Sequence, residues 1–327
     1  MKSKYLLAAA FLSGVSLDAS AMMHPGGLFD LTQQEDLSGI QIPSEARVID
    51  VNANQLPQLC EQINPWNQQL SIYNCNDWRE LKVLEVRGIV NLSVCYTGTG
   101  TDFSGLPSVP YLRDFTIAGD NLPMTSFAGF QKSYWLKYLC FSASKSPLTT
   151  LDGLENAPNL ETIVIQNAHN LSNWQALSRL KRLRILEVRS LCEDYNGILF
   201  AQSIEELRLC NASLKDFRLH IPEFNALPNL RRLEISETIG LKSLNGIEVI
   251  APNLESLRID ERLLSTDSIV TFFENTKSNG QLKNLKTVEI EIYGRPQEEI
   301  ARIETLSETL GLTDVDKDQC WITFHGN

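Results

Sequence analysis

Residues able to do chemistry are few in this chain and poorly grouped. Four histidines (His24, His169, His220 and His325) could act as bases or metal ligands, but no pair has the H-x-x-x-H spacing that places two imidazoles on one helix face. There is no G-x-S-x-G elbow for a nucleophilic serine, no glycine-rich phosphate loop and no C-x-x-C pair. One short constellation remains: Cys192-Glu193-Asp194, a thiol two places from a carboxylate, a pattern used in thioester chemistry. A three-residue match without its structural context is weak. The chain therefore reads as a non-enzyme, with no catalytic residue, metal ligand or cofactor expected.

The thiols point to a compartment instead. Seven cysteines (Cys60, Cys75, Cys95, Cys140, Cys192, Cys210 and Cys320) form an odd set, so at least one is unpaired or pairs between chains. Cys60 and Cys75 flank an irregular segment and are the expected disulfide. The N-terminus agrees with export: Lys2 and Lys4, then an apolar stretch from Tyr5 to Leu17, then Ala19-Ser20-Ala21 as an A-x-A cleavage site. That stretch is shorter than the roughly 20 residues a membrane span needs. Cleavage after Ala21 and a secreted or periplasmic protein are expected, with no membrane span afterwards. With 29 basic against 40 acidic residues and a net charge of −11, the chain lacks the cationic excess that nucleic-acid binding requires.

The elements that must position any site follow from a repeat. An apolar residue, two of any kind, an apolar residue, one of any kind and another apolar residue recur from Ala46-Ile49-Val51 and Leu81-Leu84-Val86 to Leu285-Val288-Ile290. The middle apolar residues fall at 49, 84, 115, 139, 163, 186, 207, 233, 257 and 288. Six consecutive intervals lie between 21 and 26 residues, a solenoid period. In L-x-L the apolar side chains alternate with outward ones, so each copy should give one short strand. Stacked copies give a parallel sheet, with return segments such as 148–159 and 241–253 closing the core from behind. Asp152-Gly153-Leu154 and Asn245-Gly246-Ile247 mark equivalent corners. Pro158, Pro228 and Pro252 precede strands, where a missing N–H breaks no ladder.

On these residues the segment 46–293 resembles a leucine-rich-repeat domain, of the short-repeat bacterial kind found in internalin-like surface proteins and secreted effectors. The resemblance implies an α/β solenoid of about ten short parallel strands on a concave face. The family's asparagine, three places after the second strand leucine, is mostly replaced: only Asn54 keeps it, while Asp120, Ser144, Ala168, Leu191 and Ala212 are among the substitutes. In bacterial ubiquitin ligases with such repeats the C-x-D motif lies in a separate helical domain. Here it falls between two strands, which marks it as coincidence. Residues 22–45 are expected to cap the first coil and 294–327 the last, through a helix with Ile300, Ile303, Leu306 and Leu310 on one stripe and a final strand near 320–324. The intervals 49–84, 84–115 and 257–288 exceed the period, and the second holds a loop, Thr97-Gly98-Thr99-Gly100-Thr101.

The side chains between the strand leucines form the expected binding face. Their middle column reads Asp50, Glu85, Thr116, Cys140, Val164, Glu187, Arg208, Glu234, Arg258 and Glu289. From Glu187 onward the sign alternates, which reads as a solvated ion-pair ladder. Thr116, Ala118, Tyr138, Cys140, Thr162, Val164 and Ile185 form a mostly neutral patch beside it, the composition of an interface. The expected partner site is thus Thr116, Tyr138, Thr162, Val164, Ile185, Glu187, Arg208, Glu234 and Arg258, for a protein partner, with carbohydrate an open ligand class. The alternative is an envelope or surface protein that associates with itself, joined through the leftover cysteine. Sequons begin at Asn91, Asn170 and Asn211 and matter only in a host that glycosylates secreted proteins.

Overall fold

The computed structural model describes residues 23–325 except 25–26, 36, 38–39, 45, 60, 64–67, 86–87, 131, 193, 223–225, 261–263, 313 and 319. The export pattern of 1–21, Cys60, Pro65, Trp66, Val86, Glu193 and Arg262 therefore lie outside the described residues. One sheet of 15 strands runs the length of the molecule. In order these are β1 (Met23–His24), β2 (Leu28–Asp30), β3 (Val48–Asn52), β4 (Gln69–Cys75), β5 (Asn91–Tyr96), β6 (Asp114–Asn121), β7 (Tyr138–Lys145) and β8 (Thr162–Gln166). They continue as β9 (Ile185–Arg189), β10 (Glu206–Cys210), β11 (Arg232–Ser236), β12 (Ser256–Asp260), β13 (Thr287–Glu291), β14 (Asp314–Lys317) and β15 (Trp321–His325). From β2 to β13 each strand pairs parallel with the next, residue for residue except at a bulge in β4. The inward residues of the strands are buried, Leu207 and Leu209 or Leu233 and Ile235 to at most 1% exposure. The chain is a leucine-rich-repeat solenoid of the α/β class.

The register departs from the sequence reading at one place. Leu81 and Leu84 do not lead into a strand: Trp78–Leu84 is a 3-10 helix with Trp78, Leu81 and Leu84 buried. The strands are β4 and β5, built on Leu70-Ser71-Ile72 and Leu92-Ser93-Val94. With them the central apolar residues from Ile49 fall at 70, 92, 115 and 139, intervals of 21, 22, 23 and 24 residues. The two long intervals vanish, and Glu85 leaves the concave column in favour of Ser71 and Ser93. The error has a physical source. A 3-10 helix repeats every three residues, so its buried face writes L-x-x-L just as a strand entry does.

The loop 97–101 is likewise an ordinary return segment. Thr97 N bonds Cys75 O (2.8 Å) and Gly100 N bonds the Tyr96 hydroxyl (3.2 Å). A Cβ on Gly98 would meet Asn76 O at 1.9 Å.

The back of the solenoid has its own repeat. Asp77, Asp102, Ser126, Thr150, Asn173, Asp194, Asp216 and Ser243 each accept, through a side-chain oxygen, the backbone N–H two residues on, at 2.8–3.2 Å. Each is followed by a large buried residue: Trp78, Phe103, Phe127, Leu151, Trp174, Tyr195, Phe217 and Leu244. The turn oxygen satisfies backbone that would otherwise be orphaned, and the next side chain drops into the core. Trp78 stacks on Phe103 (5.1 Å), which stacks on Phe127 (5.3 Å). Three asparagines, Asn74, Asn167 and Asn211, sit one place ahead of the family's position and adopt left-handed backbone (φ 53, 54 and 52), which asparagine tolerates best after glycine.

At the C-terminal end the 31-residue step between Leu257 and Val288 holds a helix. Beyond the short helices α1 (Leu56–Leu59) and α2 (Ile247–Ile250), α3 (Thr266–Ser278) packs on α4 (Gln297–Glu304) and α5 (Leu306–Leu310). Ser265 caps α3 through Ser268 N, and Ile269, Phe272, Phe273 and Thr276 are its buried face. Ile300, Ile303 and Leu306 are buried as the stripe required, while Leu310 is only partly buried and the expected single helix breaks at Thr305 into α4 and α5. Strand β15 runs antiparallel to β13, and β14 to β15, closing the sheet.

Candidate functional site

Strand register builds the concave face as three columns. The middle one places Asp30, Asp50, Ser71, Ser93, Thr116, Cys140 and Val164 side by side, then Glu187, Arg208, Glu234, Arg258 and Glu289. Tyr138, Thr162 and Ile185 are neighbours in the column before it. Every residue expected in the binding strip from Thr116 to Arg258 is thus on one face, at the neighbour positions that the repeat implies.

Depth within that face is uneven. Tyr138, Thr162, Ile185 and Thr116 are half-buried, while Cys140 and Val164 are buried. The neutral patch offers its outer columns to a partner more than its floor.

The charged half is not the solvated ladder expected. Glu187 is 1% exposed. Its carboxylate is held by Arg189 and by Arg208, the latter at 3.3 Å. Arg208 also bonds Glu206 (2.6 Å) and approaches Glu234 (3.7 Å). Burial disfavours the Arg208 cation, but the carboxylates of Glu206, Glu187 and Glu234 overcome that and raise its pKa above the ordinary arginine value. A desolvated carboxylate with two guanidinium partners is a fixed element, costly to leave with one partner removed. Further along, Arg258 pairs with Glu289 (3.1 Å) and lies over the Trp321 ring at 4.1 Å. Glu206, Arg232, Glu234, Arg258, Lys286 and Glu289 are among the residues lining a groove of about 450 Å³ there.

Toward the N-terminus a second cavity, about 370 Å³, is lined by Asn52, Asn54, Asn74, Asn76 and Glu80. Asn74 Nδ2 donates to Asn52 Oδ1 (2.7 Å) and Thr97 Oγ1 to Asn76 Oδ1 (2.9 Å). Asn52 Nδ2 in turn donates to Thr32 O (2.7 Å) and Asn76 Nδ2 to Asn74 O (3.1 Å), so these amides are tied to the coils that present them. Sequence reasoning missed this cradle, because it depends on β4, the strand misplaced in that reading.

The thiols do not form the expected bridge. Cys75 is a free thiol, fully buried, with Sγ 3.5 Å from Asp77 O, and Cys60 lies outside the described residues. Cys95, Cys140, Cys192, Cys210 and Cys320 are free as well. Cys192 is 2% exposed and burial pushes its thiol up to about 11, so the C-x-D motif holds a protonated, enclosed sulfur rather than a nucleophile. His169 Nδ1 lies 3.4 Å from Ser190 Oγ, but that hydroxyl belongs to a buried residue no substrate reaches.

No protein-family model matches the chain. A stretch of 111 residues, 33% of the chain, is 31% identical to sequences described as disease resistance protein RRS1 of Arabidopsis thaliana, and covers 8% of that protein. The chain therefore corresponds to less than a tenth of the curated relative it matches. Among solved structures, the leucine-rich-repeat protein LIC12759 of Leptospira interrogans is 15% identical over 89% of this chain and 95% of that one, with a TM-score of 0.30. At that score the superposition adds nothing to the fold described above.

Proposed function

We propose that this leucine-rich-repeat solenoid is a secreted binding module that engages a protein partner through its concave face. The observation that carries the reading is the boundary on that face: neutral, half-buried Tyr138, Thr162 and Ile185 adjoin a cluster in which Glu187 is locked between Arg189 and Arg208. A rigid charged border beside apolar and aromatic groups suits recognition. The apolar part supplies affinity, and the fixed charges reject partners of the wrong sign. Thr116 and Val164 belong to the floor of that surface, and Arg208, Glu234 and Arg258 to its charged side. Secretion rests on the N-terminal pattern ending at Ala21, and recovery of a chain beginning at Met22 from outside the cytoplasm would test it.

The binding test is affinity capture with the protein beside a Tyr138→Ala/Ile185→Arg variant of equal melting temperature. A partner held by the wild type and lost by the variant supports the reading. The same partner captured by both removes the concave site. If neither captures a partner and a reducible dimer forms through half-buried Cys320, the self-associating envelope protein takes its place.

A further inference from the structure

The strongest unassigned surface lies on the edge of the solenoid, where the chain turns into the strands. A backbone ladder stacks these turns directly: Lys137 N bonds Arg113 O, Glu161 N bonds Lys137 O and Arg184 N bonds Glu161 O, each at 2.8 Å. Just before the ladder residues come Tyr111, then Tyr134-Trp135 in the next coil, and two coils further Lys181-Arg182. Trp135 is 61% exposed, Tyr134 58% and Tyr111 46%. The Tyr111 and Trp135 rings meet at 6.5 Å with a 42° tilt.

The cations along this edge are of two kinds. Lys137 is paired with Glu161 and Arg184 with Glu205. Arg113, Lys132, Arg179, Lys181 and Arg182 are exposed and make no ion pair among the described residues. In a chain of net charge −11 this is a local excess of exposed positive charge, with Arg113 and Lys132 on the coils that carry the three exposed rings and Lys181-Arg182 two coils further along the same edge.

The aromatic turn is also held in place. Asn159 Nδ2 donates to Tyr134 O (2.7 Å), Ser133 N to Asn156 O (2.9 Å) and Asn156 Nδ2 to Phe130 O (2.9 Å). Rings presented on fixed backbone lose less entropy on contact, and Trp, Tyr and Arg are the residues that dominate interface energetics.

We propose that this edge is a second docking surface, separate from the concave face, for an acidic polypeptide segment that carries apolar or aromatic side chains. The charges select acid residues, and the tilted rings receive the apolar ones. A continuous polyanion fits less well. Glu161 and Glu205 stand in the same ladder between the cations, so a nucleic acid, sulfated glycan or anionic bilayer laid along the edge meets carboxylates as it meets lysines. Discrete acidic side chains can pass between them.

The probe is a fluorescein-labelled random copolymer of glutamate and tyrosine, titrated with the whole protein by fluorescence anisotropy. Heparin and phosphatidylserine-containing vesicles are run beside it. The expected result is binding of the copolymer that weakens with salt, about tenfold weaker in Trp135→Ala, and lost in Lys181→Glu/Arg182→Glu. Tyr138→Ala/Ile185→Arg should retain it, which keeps this site distinct from the concave one. All of these side chains are exposed or half-exposed, so equal melting temperatures are expected and checked. No binding, binding that the edge variants leave unchanged, or tighter binding to heparin or vesicles than to the copolymer would each overturn the proposal.

Discussion

Burial decides what each thiol can do. Burial raises Cys140 and Cys192 from 9.0 to about 11 and Cys75 to about 12, so none carries useful thiolate at neutral pH. We expect maleimide at about pH 8 to label half-buried Cys320 in the folded protein and to leave these three untouched until urea unfolds it. Mass spectrometry reads this directly, and fast native labelling of Cys192 would restore the thiol chemistry rejected above. The linkage has a definite sign. An acid whose folded pKa is raised adds stability that is complete below its unfolded value and disappears as pH climbs through the folded one. Urea midpoints should therefore hold up to pH 9 and fall between there and about 11. Tyr195 is a second single-residue test. Its hydroxyl donates to Ser190 O and accepts from Cys192 N (3.1 Å) and Ser213 N (3.2 Å), tying one return segment to two coils. Tyr195→Phe leaves those groups unsatisfied and should cost about 2–4 kcal/mol, measured by denaturant titration. At this scale the face of each site residue was legible, because strand alternation fixes inside and outside. Depth was not. Alternation cannot tell that Glu187 lies beneath Arg189 and Arg208 while Glu234 remains half-exposed.

Among the elements, the corners of the return segments set the coil geometry. Gly153 and Gly246 have φ of +104 and +100, and a Cβ on them would meet Phe127 O at 2.0 Å and Phe217 backbone at 2.3 Å. Their N–H groups bond Glu155 and Glu248 in the same way (2.8 and 2.9 Å). Gly153→Ala should cost about 2–4 kcal/mol, combining left-handed strain with displacement of the preceding coil. Gly240→Ala, at φ +82 with nothing within 4 Å of its Cβ, should cost only about 1 kcal/mol. Thermal melts of the pair separate contact from strain, and equal losses would mean that contact with the preceding coil plays no part. The sequence already showed these corners as D-G-L and N-G-I. It showed the strands from β6 to β13 equally well, since each leucine phrase there had no competitor, while β14 carries no such phrase and was not expected. Between 78 and 94 two phrases competed, Leu81-Leu84-Val86 and Ile89-Leu92-Val94, and local pattern could not choose. A cue was present: Asp77-Trp78 matches Asp102-Phe103 and Asn173-Trp174, the polar-then-large pair of a return segment. The helix α3 was signalled too, by Ser265 and the 3–4 spacing of Ile269, Phe272, Phe273 and Thr276, inside an interval that length alone marked as an insertion.

Across the whole molecule, each coil of the solenoid touches mainly the coils on either side, so stability should divide along its length rather than act as one unit. The two ends are reinforced differently. The N-terminal half carries the Trp78–Phe103–Phe127 stack behind its sheet. At the C-terminal end Thr266, at the start of α3, bonds Glu299 of α4 (2.5 Å), and Lys277 bonds the Glu308 carbonyl of α5 (3.0 Å). Among the described residues the middle coils from β9 to β11 show neither reinforcement: Tyr195 and Phe217 are buried behind their sheet, beside strand residues such as Leu207 and Leu233, both essentially unexposed. Leu207→Ala should cost about 2–5 kcal/mol through lost transfer energy and the cavity left behind. In a nearest-neighbour array that cost falls first on the coils that share the cavity. Native-state hydrogen exchange of the variant should thus show faster exchange in β9, β10 and β11 while β4 and β5 keep wild-type protection. Uniformly faster exchange from β3 to β13 would mean that the sheet opens as a single cooperative unit. In that case damage at one coil reaches both the concave face and the aromatic edge. Selective exchange would mean instead that the rings of the edge, Tyr111, Tyr134 and Trp135, on coils N-terminal to the weakened ones, keep their geometry, while Lys181 and Arg182, which lead into β9, loosen with the middle of the array.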